Sequence, residues 1–148
     1  MTEKQFTIVR EFDAPRTTIW RAWTDPTLAA KWWHPHGLVT PAESVQIDLR
    51  EGGSYAYNMV LEADGQQWPT GGTYLEVRAP ELLKFTWADP GDNEADAPVV
   101  TVSLRELAGD RCEMTFHLLG IANDSGDEHG VYDGWTEAFE ELDTALAS

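Results

Sequence analysis

The chain has 148 residues, 42% of them hydrophobic, which suits one domain with its own core and excludes a disordered chain. Twenty-six acidic against ten basic residues leave a formal net charge of −16, which repels phosphates and anionic headgroups and argues against nucleic acid or a membrane surface as partner. Seven tryptophans, five phenylalanines and four tyrosines are bulk for a large core or a cavity wall.

Along the chain, "FTIVREF" alternates, with Phe6, Ile8, Arg10 and Phe12 on one side, and predicts a strand. "DAP" leads into a helix, with Pro15 in its first turn and Ile19, Trp20 and Trp23 at helical spacing. "TDP" starts a second helix, with Asp25 as cap and Pro26 at its first position. Its stripe is Leu28, Ala29, Trp32 and Trp33, and Pro35 stops it near Trp33. Trp32 and Trp33 stand about 100° apart on a helix, so one is expected in the core and the other at a sheet edge or pocket rim.

From residue 42 to 119 the period becomes two. "ESVQIDLR" and "SYAYNMVLEA" read as strands, "ADGQQWPTGG" as a turn region, then "TYLEVRAP", "LLKFTWAD", "VVTVSLREL" and "CEMTFHLL" as strands, the last pair joined by a tight "AGD" turn. With the first strand these make about seven in an antiparallel meander. Val131, Trp135, Ala138, Phe139, Leu142, Ala145 and Leu146 then share a helical face, and the capping-box spacing of Ser125 and Glu128 starts that helix near 126. No linker divides the chain, so residues 1–148 are read as a single domain.

In this order the blocks "VREFDAPRTTIWRAWTDPTLAAKWW", "DLREGGSYAYNM", "GGTYLEV" with "FTW", and "GWTEAFEELDTAL" resemble the activator of heat-shock protein 90 ATPase homologue family of the START-like (SRPBCC) superfamily, from about Phe6 to Leu146. The resemblance implies an α+β helix-grip fold, a curved antiparallel sheet wrapped around the long C-terminal helix. It further implies an elongated cavity for apolar ligands between sheet and helix, as superfamily members commonly have. Those members include ligand carriers, cyclases, dehydratases and co-chaperone domains, so the fold alone assigns no activity.

Candidate pocket residues are the strand and helix aromatics Tyr55, Tyr57, Phe85, Trp87, Phe116, Trp135 and Phe139, with Met59. Trp33, His34 and His36 are placed at the pocket rim. His34 and His36 would point to one side of an extended segment, but a zinc site needs a third and usually a fourth ligand, and spacing supplies none. No metal or cofactor is expected, and no catalytic residue is assigned. The nucleophile elbow, phosphate loop, paired-cysteine motif and dinucleotide fingerprint are all absent from the sequence. Cys112, alternating with Met114 and Phe116, reads as an inert core thiol, and a lone cysteine fits a reducing cytoplasm. Arg10 is expected to pair with a carboxylate or to reach water at the sheet edge. Gly126, Gly130 and Gly134 weaken the start of the last helix, which suggests a gate over residues 120–134 or close packing on a neighbouring backbone.

The leading expectation is non-catalytic binding of a small hydrophobic or amphipathic ligand in the cytoplasm, by a monomer or a homodimer. One alternative is a co-chaperone-like protein-interaction module using the acidic face. Another is a cavity enzyme of cyclase, dehydratase or hydrolase type, with His117, Glu76 or Arg10 as the inward acid, base or anion handle.

Overall fold

The computed structural model describes residues 5–34, 37–87, 97–120 and 131–147. Its elements in order are β1 (Gln5–Phe12), α1 (Arg16–Thr24), α2 (Pro26–Ala29), β2 (Leu38–Val39), a 3₁₀ turn (Ala42–Ser44), β3 (Gln46–Ile47), β4 (Ser54–Leu61), β5 (Gln67–Arg78), β6 (Leu82–Thr86), β7 (Val99–Leu107), β8 (Arg111–Leu119) and α3 (Val131–Ala147). Every pairing is antiparallel, in the order β1-β8-β7-β6-β5-β4-β2, with β3 also on β4. The sheet is curved and does not close.

Period-two patterning sorts the sheet into two faces. Inward, Phe6 stands beside Leu118, Val100 and Phe85, and the next row is Ile8, Phe116, Val102 and Leu83. All eight are buried. Outward, the corresponding row is Thr7, His117, Thr101 and Lys84. Against the inner face lie α1, with α2 packed on it, and the buried stripe of α3, made of Trp135, Ala138, Phe139 and Leu142. Arg10 ties the edge strand to this helix through an ion pair with Asp143, its Nε donating to Oδ2 at 3.2 Å. The carboxylate partner expected for Arg10 is therefore on α3.

The local signals around the helices hold. Asp25 accepts from the amides of Thr27 at 2.9 Å and Leu28 at 3.3 Å, and Pro26 opens α2. Glu106 on β7 accepts from Arg16 N at 2.9 Å, giving the first amide of α1 a partner. The "AGD" turn carries Gly109 and Asp110 at positive φ, 78° and 58°.

Four expectations change. "ADGQQWPTGG" is not all turn: β5 begins at Gln67 and runs through Pro69, Gly71 and Gly72. The glycines are there because the neighbouring backbones leave no room, a Cβ on Gly72 falling 1.9 Å from Thr86 O and one on Gly71 falling 2.6 Å from Tyr55 O. "ESVQIDLR" yields only the two-residue β3, because Ser44 bonds locally, its hydroxyl donating to Pro41 O at 2.7 Å and accepting from Asn58 N at 3.2 Å. Leu38–Val39 adds a strand that was not expected. Finally, both Trp32 and Trp33 are in the core, 0% and 5% exposed. The helix ends at Ala29 and the chain tightens through Lys31 N to Leu28 O and Trp32 N to Ala29 O, both 3.1 Å. The separation between successive helical positions no longer applies there.

Candidate ligand site between the sheet and the last helix

The inner face is lined by a continuous set of aromatic rings. Trp23 of α1, 1% exposed, is their centre. Its ring lies 4.6 Å from Trp32, 6.4 Å from Trp33, 5.9 Å from Phe85, 6.3 Å from Phe116, 5.9 Å from Trp135 and 6.4 Å from Phe139. These separations are those of ring pairs in favourable contact. Trp23 was legible as a core residue from its spacing with Ile19 and Trp20, but nothing in the sequence marked it as the centre.

The expected pocket residues come together around this centre. Trp135 is 4.7 Å from Phe116 and 5.8 Å from Phe139. Tyr55 and Tyr57 stack at 6.3 Å, and Tyr55 meets Phe85 edge-on at 5.2 Å. Trp33, placed at a rim by the sequence, is buried 4.8 Å from Tyr57. Trp87 is half-buried, 5.6 Å from Trp135, and its indole N–H donates to the Tyr57 hydroxyl at 3.2 Å. Met59 packs against the same cluster from the far end of β4.

His34 is buried, with Nδ1 3.2 Å from the Thr40 hydroxyl, which itself donates to Trp33 O at 2.8 Å. Thr40 has a single hydrogen and spends it on Trp33 O, so His34 Nδ1 is the donor of that pair. Thr40 was not foreseen as a partner. His36, the capping pair Ser125 and Glu128, Gly126, Gly130 and most of the suggested gate lie outside the described residues. Gly134 is described, and a Cβ there would meet nothing within 4 Å, so close backbone packing does not explain this glycine.

Burial sets the protonation of the interior. The Tyr55 phenol is held well above its usual 10.0, by burial first and then by Tyr57 and Tyr74, and it donates to Thr86 O at 2.7 Å. Tyr74 is also raised, by burial and then the Asp48 carboxylate. Cys112 is buried, and burial followed by the Glu106 carboxylate pushes its thiol up to about 11, so it stays protonated at neutral pH.

The nominees for acid–base chemistry lie elsewhere. His117 faces outward and meets Gln5 Oε1 at 2.8 Å. Glu76 is turned outward by the irregularity between Tyr74 and Glu76, which pairs it with Lys84 and lets it meet Arg78. Arg10 is held by Asp143. Among the described residues no group of three His, Cys, Asp or Glu could hold a metal ion, and no helix is long and apolar enough to cross a membrane.

A curved antiparallel sheet with two short helices after its first strand and a C-terminal helix against its inner face defines a START-like domain of helix-grip architecture. Within that class the chain belongs to the activator of Hsp90 ATPase homolog 1-like protein family, whose sequence profile matches residues 13–147. Among solved structures it is similar to a protein from Chromobacterium violaceum, at 28% identity over 96% of both chains with a TM-score of 0.81. A protein from Arthrobacter aurescens is 28% identical over 97% of this chain and 86% of its own, with a TM-score of 0.78. An HSP90 activator from Plasmodium falciparum shares the fold, at 19% identity over 97% of this chain and 96% of its own, with a TM-score of 0.69. No curated protein matches the sequence. The fold is one used by ligand-binding and co-chaperone-like domains alike.

Proposed function

We propose that this domain binds a small apolar or amphipathic molecule, without chemistry upon it, between the inner face of β4, β6 and β8 and the helix α3. The observation that carries this reading is the aromatic wall of Trp33, Tyr57, Trp87 and Trp135, which runs from buried Trp33 to half-buried Trp87. A wall of ring faces supplies affinity through apolar burial, at about 25 cal/mol per Å² removed from water. The Tyr57 hydroxyl, held by the Trp87 indole, is a fixed polar group within it that can orient an occupant. Trp135 stands where the wall meets the helix.

Nile red is the test probe. It should bind with enhanced emission, and Trp135→Ala should weaken that binding by about tenfold or more, the scale of an aromatic anchor. Unchanged affinity in a variant with native circular dichroism removes Trp135 from the site.

The second reading, a protein-interaction module, draws on the family's name and on the HSP90 activator that shares the fold. Partner binding through the acidic face would weaken steeply with added salt. Apolar ligand binding would not.

A further inference from the structure

Six tryptophans lie in or against the core, and the indole N–H groups of five of them, all but Trp20, fall into two sets. Trp32 donates to Ala22 O at 3.0 Å and Trp87 to the Tyr57 hydroxyl at 3.2 Å. The Nε1 atoms of Trp23, Trp33 and Trp135 are buried with no acceptor. These residues are 1%, 5% and 7% exposed. They come from α1, the turn after α2, and α3, yet they belong to one cluster, with the Trp23 ring 6.4 Å from Trp33 and 5.9 Å from Trp135. Native interiors satisfy nearly all buried donors, and an indole N–H can only donate. Three unpartnered donors in one cluster suit a ligand that brings acceptors and no required donor.

Charge narrows the partner further. Among the described residues no lysine or arginine is buried, and Arg10, the cation on the inner strand face, is committed to Asp143. A buried carboxylate held by indoles alone would lack a countercharge, in a protein that already carries −16. An uncharged acceptor such as a ketone, quinone, ester or ether has no such requirement.

Resting on the ligand-binding reading above, we infer that the site takes an uncharged aromatic or polycyclic molecule bearing carbonyl or ether oxygens, each read by one or two of the indole N–H groups of Trp23, Trp33 and Trp135. This selects within the apolar class. A pure hydrocarbon leaves the donors orphaned, and a fatty-acid-type carboxylate leaves its own charge unpaired.

Three ligands on one skeleton test it by calorimetric titration of the full chain: methyl naphthyl ketone, isopropenylnaphthalene of the same shape without the oxygen, and naphthoate. The ketone should bind about tenfold more tightly than the hydrocarbon, the scale of a buried hydrogen bond gained, and more tightly than naphthoate. Trp135→Phe, which keeps a ring and deletes one N–H, should narrow the gap between ketone and hydrocarbon. The wild-type comparison stands even where that variant folds poorly. No preference for the ketone, including binding of none of the three, overturns the acceptor assignment, as does tightest binding of naphthoate. If Nile red binds while the preference is missing, only the acceptor assignment falls. If Nile red does not bind either, the ligand-binding reading falls with it.

Discussion

The same aromatic interior contains two kinds of buried polar hydrogen. On the sheet side the Tyr55 hydroxyl donates to Thr86 O at 2.7 Å, and the Thr86 hydroxyl accepts from Thr73 N at 2.8 Å. On the helix side the indoles of Trp23, Trp33 and Trp135 donate to nothing. A partnered hydrogen contributes to stability, whereas an orphaned one costs about 1–3 kcal/mol. The comparison separates what holds the fold from what is left for an occupant. It predicts that deleting a polar hydrogen has opposite consequences on the two sides.

The largest effect tests the shared ground of both sides. Trp23 contacts six rings, and Trp23→Ala should cost about 3–5 kcal/mol in chemical denaturation, as for large core aromatics. A loss no larger than that of a surface substitution would mean that Trp23 is not the centre of the interior.

Next, Tyr55→Phe should cost about 0.5–1.5 kcal/mol by removing the hydrogen bond to Thr86 O. It should also change the alkaline limb. The folded Tyr55 phenol titrates above the 10.0 of the unfolded chain, so its contribution is fully present below 10.0 and is lost as pH rises past it. Denaturation midpoints on either side of 10.0 should fall less steeply in Tyr55→Phe than in the native chain. Equal slopes would remove Tyr55 from the satisfied side.

The smallest effect concerns the helix that carries Trp135. Gly134 meets open space, so Gly134→Ala should stabilise the protein by about 0.5–1 kcal/mol through helix propensity. A destabilisation in thermal melts would reveal a contact that the open space at Gly134 does not provide for.

Much of this architecture was legible in the sequence. Alternation gave the inner faces of β4, β6 and β8, helical spacing gave the stripe of α3, and the Asp25–Pro26 pair gave the start of α2. The expected pocket aromatics within the described residues do share one interior. The parts that were not legible depend on neighbours distant in sequence. Gly71 and Gly72 read as turn residues because the close approach of Tyr55 O and Thr86 O is set by other strands. Glu76 read as inward because a strand irregularity is set by its pairing with β6. The difference between Trp32, with its bond to Ala22 O, and Trp33, without one, depends on where the helix stops and how the chain turns after it.

The most direct test is to follow the tryptophan indole N–H resonances of ¹⁵N-labelled protein while methyl naphthyl ketone is added. One carbonyl oxygen has two lone pairs, so one or two of the Trp23, Trp33 and Trp135 signals should move downfield as their hydrogens gain an acceptor, while Trp32, already bonded to Ala22 O, stays in place. Shifts confined to exposed Trp68, or no shift at saturating ketone, would contradict it.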